Sequence, residues 1–226
     1  AHLEVVGFRF KRVINWFLLG ITYAFLYWGR YNLQPAIEAL GGKEMIADFN
    51  WVFGAGTFIY GVSFLVNGPL TDRSGGRFSI IIGGCGAAIA NLLMGVVTWM
   101  HLGGQLSANG LFWSLIVLYP INMYFQSFGA VAIVKCNSAW FHVRERGAFG
   151  AIFGILIALG IYFAFDWSYA ITKATSASWA FFAPAVALGV TFILNILIVR
   201  NKPSEAGLPD FNTGDDSAGD ESEQKS

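Results

Sequence analysis

The sequence predicts an all-α membrane protein of six transmembrane helices with both termini cytoplasmic, and three observations carry that prediction. The chain has 226 residues, of which 55% are hydrophobic and only 12% charged, far from the roughly 25% charge of a typical soluble domain. Its apolar residues come as long runs, each near the ~20 residues a helix needs to cross a ~30 Å hydrocarbon core. Its basic residues gather on alternate connections between those runs, the pattern of the positive-inside rule.

The runs cover residues 13–34, 49–70, 78–100, 111–134, 148–171 and 179–199. They are apolar on most faces, which excludes the short alternating strands of a membrane barrel. Arg9, Lys11 and Arg12 precede the first run, Arg73 and Arg77 join the second to the third, Arg144 and Arg146 join the fourth to the fifth, and Arg200 and Lys202 follow the sixth. The opposite connections offer little beyond Lys43 and Lys173. Trp51, Trp99, Trp113 and Trp179 fall near run ends, where an indole meets both lipid and water. The chain divides into a cytoplasmic segment (1–12), a six-helix bundle (13–200) and an acidic flexible tail or start of a central interdomain loop (201–226). Residues from Pro203 onward, rich in Asp, Glu, Ser and Gly, are expected to be disordered because they hold too little apolar area to offset ordering the backbone.

The connection after the second run reads Gly68-Pro69-Leu70-Thr71-Asp72-Arg73-Ser74-Gly75-Gly76-Arg77. A carboxylate and two guanidiniums in so short a turn tie helix ends by charge-assisted hydrogen bonds that differ between conformations, or serve only as topology signals. Gly68, Asp72, Arg73, Gly75 and Arg77 match the order and spacing of the major facilitator superfamily signature, so the chain resembles one six-helix half of that fold. The resemblance implies secondary transport, with these residues and the Glu145-Arg146 pair before the fifth helix in conformational control.

A narrower resemblance rests on Arg30-Tyr31-Asn32 in the first helix, Phe125-Gln126 in the fourth, Trp140-Phe141 ahead of Glu145-Arg146-Gly147, and Pro203 with Gly207-Leu208-Pro209. These are similar to the organophosphate:phosphate antiporter family, which implies exchange of phosphate esters for inorganic phosphate. Two segments depart from that family. The second helix has Gly61-Val62-Ser63-Phe64-Leu65 where members place a Lys, and the fifth has Ile155-Leu156-Ile157 where they place Asn and His. The positive charge is then reduced to Arg30 and Lys135, which also suits a proton-coupled carboxylate or other anion symporter, or a non-transporting membrane sensor or interaction subunit.

Arg30 stands out without any family. An ionisable residue inside an apolar helix is costly and usually points into the bundle or an aqueous cavity. Tyr23, Tyr27, Arg30 and Gln34 recur at spacings of three and four, one helical face, and a guanidinium offers a planar fork to phosphate or carboxylate oxygens. Substrate contact, pairing with Glu38 or Asp48, and snorkelling are the three roles open to it. Tyr119, Asn122 and Gln126 form a second stripe that lines the path or ties helices. Lys135 attracts the anion or marks the inner side, and Asp166 is a proton-coupling or an interfacial carboxylate. Gly54, Gly61 and Gly68 on the second helix, and Gly150 and Gly154 on the fifth, predict close helix packing.

No enzyme chemistry is expected. The glycine-rich stretches lack the Lys-Ser or Lys-Thr of a nucleotide phosphate loop. His2, His101 and His142 are scattered, and Cys85 and Cys136 suggest neither a disulfide nor a metal site, so no cofactor is expected. Nor is nucleic-acid binding, since the basic residues serve as inner flanks and the tail is acidic. The expected partners are a small organic anion, membrane lipid, and a second six-helix half. That half is expected from the same polypeptide, another chain or a second copy, and the acidic tail is a candidate connector to it. A bacterial cytoplasmic (inner) membrane is the expected location.

Overall fold

The chain forms one helical bundle in a computed structural model that describes residues 7–41, 43–210 and 212–214, the side chains of 43–48 and 148–149 excepted. Among the described residues eight α-helices follow in order: α1 Phe8–Tyr31, α2 Leu33–Gly41, α3 Lys43–Ser74, α4 Gly76–Leu102, α5 Ala108–Ser138, α6 Arg146–Tyr162, α7 Ser168–Ala174 and α8 Trp179–Ile198. A π-helical stretch, Phe163–Trp167, joins α6 to α7, so the fifth run is one helical path with a bulge. Among the described residues, five segments are long and apolar enough to span a membrane: Phe49–Ser74, Gly76–Leu102, Ala108–Ser138, Gly150–Ala174 and Trp179–Ile198. The sixth element is α1, whose 24 residues reach about 36 Å at 1.5 Å each but begin with three basic side chains.

Burial separates the central helices from the outer ones. The spans of α4 and α5 are each 50% buried, those of α3 and of α6 with α7 only 22%. α1 runs through the middle, touching α4, α5, α6 and α8, while α3 rides on α5. One narrow seam of α3 is covered, formed by Phe49, Val52, Ser63, Asn67 and Thr71. Asn67 Nδ2 fastens it by donating to Ser127 Oγ at 2.7 Å. α1 is held along its length: Asn195 Nδ2 of α8 donates to Thr22 Oγ1 at 3.0 Å, and Trp28 Nε1 donates to Ser168 Oγ of α7 at 2.9 Å.

Three expectations change with the structure. The ten-residue signature is not a loop: Gly68 to Ser74 belong to α3, and Gly75 alone, at φ +87°, turns the chain into α4. The glycines proposed as packing seams are open, because a Cβ on Gly54, Gly61, Gly68, Gly150 or Gly154 would meet nothing within 4 Å. Close approach occurs elsewhere: a Cβ on Gly76 would lie 2.6 Å from the Ala132 carbonyl, and one on Gly160 2.6 Å from that of Ala24. These heptad- and four-spaced glycines lie on the faces of α3 and α6 turned away from α5 and α1, so spacing alone did not indicate which face is covered.

The third change concerns the segment after α8, where order replaces expected disorder over the described residues 201–210 and 212–214; Phe211 lies outside the described residues. Pro203 to Ala206 form a 3₁₀ turn, and Leu208 packs with Phe8 and Trp140 in a buried cluster. Trp140 Nε1 donates to the Arg200 carbonyl at 3.1 Å, Arg200 N to Asn15 Oδ1 at 2.8 Å, and Arg77 N to Asn201 Oδ1 at 2.8 Å. Lys11 Nζ donates to the Ala206 carbonyl. Pro203 and Leu208, two apolar residues in a polar stretch, are sufficient because α1, α5 and α8 end close together and offer a site for them. The acidic residues 215–226 lie outside the described residues, as do 1–6.

The glycine contacts make a paired test on one helix. Gly160→Ala is expected to lower thermal stability of the purified chain in detergent by about 1–3 kcal/mol through overpacking against backbone, whereas Gly154→Ala, in open space, is expected to be neutral or stabilising by up to about 1 kcal/mol. Equal melting temperatures for the two variants would contradict the packing described.

Candidate functional site

Arg30 sits in the last turn of α1, and the chain around it explains how it is displayed. Pro35 has no N–H to give the Tyr31 carbonyl, and the helical ladder is interrupted there: α1 stops at Tyr31 and α2 begins after Asn32. The carbonyls at the break are taken by side chains from other helices. Gly29 O accepts from Asn122 Nδ2 at 3.0 Å and from Asn91 Nδ2 at 3.3 Å, and Arg30 O accepts from Tyr119 OH at 2.6 Å. Asn91 Nδ2 also donates to Asn122 Oδ1 at 3.0 Å, and Asn32 Nδ2 to Asn91 Oδ1 and the Ala180 carbonyl, both at 2.8 Å. Gln126 Nε2 donates to Asn122 Oδ1 at 3.3 Å. Asn32, Asn91, Asn122 and Gln126 are all fully buried, and backbone groups freed inside an apolar bundle need such partners.

The Arg30 side chain is only 5% exposed. Its guanidinium carbon lies 4.5 Å from the ring centroids of both Tyr27 and Tyr60, which stabilises a desolvated cation by about 2 kcal/mol. Tyr23 meets Tyr27 edge to face, with centroids 5.1 Å apart. Nε and Nη2 are buried and have no hydrogen-bond partner, and no described carboxylate lies within salt-bridge distance of Arg30. The result is a positive charge held by aromatic faces, with in-plane donors still unused. That arrangement suits a bidentate oxyanion.

The structure brings together Tyr23, Tyr27, Arg30, Asn122 and Gln126, and leaves two predicted residues elsewhere. Gln34 does not continue the stripe: the break at Asn32 moves it onto α2, where it is exposed and donates to Glu38 Oε1 at 3.0 Å. Glu38, one of the pairing partners considered for Arg30, accepts at its other oxygen from Tyr169 OH at 2.7 Å. The other, Asp48, has its side chain outside the described residues. Lys135 stands at the basic end of α5, paired with Asp72 Oδ1 at 3.2 Å, roughly 14 Å along the helix from Gln126. Asp166 is exposed within the π-helical stretch.

The other signature residues make contacts at the same end. Arg77 Nη2 donates to the Ile196 carbonyl at 2.7 Å, Arg146 Nη2 to the Ser138 carbonyl at 3.1 Å, and Arg12 pairs with Glu145 at 3.3 Å. Arg73 is exposed.

Tyr60 and Asn91 were missed from sequence. Tyr60 borders the uncharged stretch of the second helix, and nothing local distinguishes it from the other aromatic residues of an apolar run. Asn91 is the single carboxamide in an apolar run, a signal that was available.

The Major Facilitator Superfamily model matches residues 19–218 of the chain. Among curated proteins, the chain is 24% identical over 220 residues to the membrane sensor protein UhpC of Salmonella typhimurium, covering 92% of this chain and 45% of that protein. It is 26% identical over 201 residues to the glycerol-3-phosphate transporter of Bacillus subtilis, covering 84% and 41%. Against the probable hexose phosphate transport protein of Chlamydia trachomatis it is 24% identical over 216 residues, covering 89% and 42%. The chain thus spans less than half the length of these relatives. With its apolar helices, these matches make it an integral multi-pass membrane protein.

The amide network is testable by a near-isosteric change. Asn91→Leu removes donors to Gly29 O and Asn122 and leaves Asn32 Nδ2 with the Ala180 carbonyl alone, so it is expected to cost about 1–2 kcal/mol in reversible unfolding from mixed micelles. An unchanged unfolding midpoint would show that the network does not hold the α1 break.

Proposed function

Because the chain belongs to the Major Facilitator Superfamily, we propose that it is the amino-terminal six-helix half of a secondary transporter for small organic anions, working by alternating access. The observation that carries this reading is the buried Arg30 guanidinium, stacked on Tyr27 and Tyr60 with Nε and Nη2 unpartnered. Burying those donors without an acceptor is unfavourable, and an anion that binds there relieves the penalty. Tyr23, Tyr27, Arg30, Tyr60 and Gln126 form the wall that meets the substrate; Gln126 Oε1, also buried and unpartnered, accepts from a hydroxyl or protonated oxygen of the same ligand. Asn122 supports the wall from behind, and Gln34 and Lys135 belong to the outer and inner approaches.

The relatives named as glycerol-3-phosphate and hexose phosphate transport proteins support a phosphate ester exchanged for inorganic phosphate. The basic ends of the helices support cytoplasmic termini in a bacterial inner membrane. A second six-helix half, in the same or another chain, supplies the opposite wall, and lipid surrounds both.

A sensor that binds the same anion without moving it is the second reading. It is favoured by the likeness to a membrane sensor protein over 92% of this chain.

In the complete protein, Arg30→Lys keeps the charge and loses the planar fork, and is expected to weaken anion binding at least about tenfold, or roughly 1.4 kcal/mol. Isothermal titration with inorganic phosphate and glycerol 3-phosphate measures it, and unchanged binding of both removes Arg30 from the site. Counterflow in proteoliposomes separates the two readings: saturable exchange supports the transporter, and Arg30-dependent binding without exchange supports the sensor.

The Asp72–Lys135 pair and its neighbours form the conformational latch of this reading. Asp72→Asn is expected to shift the inward/outward population without reducing expression. Spin-label distances across the basic helix ends provide the measurement, and identical distributions in variant and parent would remove Asp72 from conformational control.

A further inference from the structure

A polar cavity lies at the opposite end of α1 from the candidate anion site. Its volume is about 340 Å³, and its lining includes Lys11, Asn15, Arg200 and Glu205 together with Ile14 and Ile198. Asn15 is roughly 22 Å along α1 from Arg30, so the two sites share no residue.

The polar lining is a set of donors. Asn15 is 3% exposed, its Oδ1 accepts from Arg200 N, and its Nδ2 is buried with no partner. Arg200 is held over the carboxyl end of α8, where Nη1 and Nη2 donate to the carbonyls of Val199 and Leu197. These two bonds use two of the five N–H groups of a guanidinium. Lys11 reaches the cavity from the first turns of α1 and is exposed. The one carboxylate, Glu205, accepts from Asn201 N at 2.9 Å. Two cations and a free amide donor against one carboxylate leave a net positive charge.

Apolar surface adjoins these donors. Ile14 and Ile198 line the cavity itself, and Val13, Phe17, Leu194 and Leu197 beside them on α1 and α8 are exposed by 36–62%.

We propose that this cavity binds a phosphate group, with Lys11, Arg200 and Asn15 Nδ2 as its donors. Charge-assisted bonds from ammonium and guanidinium are the strong ones for this oxyanion. The adjoining isoleucines and the exposed apolar strip favour a phosphate carried by an anionic lipid headgroup at the membrane surface, its chains along α1 and α8. Free inorganic phosphate presents the same oxygens and is the other source. The ordered turn at 203–206 forms one wall, so occupancy of the cavity is coupled to the segment that leaves the bundle.

The experiment uses the full-length protein carrying Arg30→Gln, so that the first site does not contribute. Native mass spectrometry counts bound phosphatidylglycerol against phosphatidylcholine, and titration with inorganic phosphate follows thermal stability. Lys11→Gln with Arg200→Gln is expected to reduce phosphatidylglycerol retention about tenfold, and Lys11→Gln alone, at an exposed side chain, to reduce it by a smaller factor. Arg9→Gln with Arg144→Gln removes the same charge from exposed positions outside the cavity and is expected to change little. Loss of phosphatidylglycerol in the cavity variants only supports the lipid source. Loss of saturable inorganic phosphate stabilisation in the cavity variants only, with no lipid preference, supports the free anion. Equal binding by parent and cavity variants, or equal loss in the Arg9/Arg144 control, overturns the proposal.

Discussion

Asn91 of α4 and Asn122 of α5 donate to the same acceptor, the carbonyl oxygen of Gly29 in α1, at 3.3 and 3.0 Å. Within a membrane span that carbonyl has no water to turn to, and an unsatisfied backbone group there costs several kcal/mol. The break that Pro35 imposes after Tyr31 is therefore accommodated by the amides that α4 and α5 bring to it, and the same bonds hold α1 against both helices. Arg30 is the next residue along. Its backbone is fixed through the Tyr119 hydroxyl at 2.6 Å, so the direction of its guanidinium is set before any ligand arrives.

The bundle is unevenly covered, and glycine permits close approach only where another helix is present. Where α1 meets α6, Gly160 lets the Ala24 backbone come within reach of a would-be Cβ at 2.6 Å. Where α4 meets α5, Gly76 and Gly83 do the same against backbone atoms of Ala132, Cys136 and Phe125. The outward faces of α3 and α6 carry glycines too, yet nothing approaches them. Tyr60 lies on the boundary of this exposed region, half-buried, one face turned to Arg30. The candidate anion site thus sits beside the least covered part of the chain.

At the other end, the segment after α8 binds several helix ends into one unit. Asn201 accepts from Arg77 N beside the Gly75 turn, Arg200 is fixed through Asn15 and Trp140, and Leu208 closes against Phe8. The Asp72–Lys135 and Arg12–Glu145 pairs stand on the same surface, partly exposed, and exposed pairs hold weakly enough to exchange. Rigid packing and exchangeable charge are therefore neighbours there.

Length, apolar runs and the placement of basic residues were enough to establish an all-helical membrane bundle, because the bilayer imposes a span length and a charge asymmetry that any sequence must obey. Gly68, Asp72, Arg73, Gly75 and Arg77 were likewise legible, since a signature of local spacing needs no tertiary information, and so was Arg30, whose charge is conspicuous in an apolar run. What lay beyond the sequence was which faces meet. Tyr60 is thirty residues after Arg30 and joins it only because α3 and α1 both pack on α5. Gln34 left the predicted stripe because helical spacing assumes a continuous helix and Pro35 interrupts it. The glycines at 54, 61 and 68 keep an ideal heptad spacing and pack against nothing described, while Gly160 and Gly76, without such a pattern, make the close contacts. Periodicity identifies a face on its own helix; the partner for that face is decided by long-range packing, which no local pattern encodes.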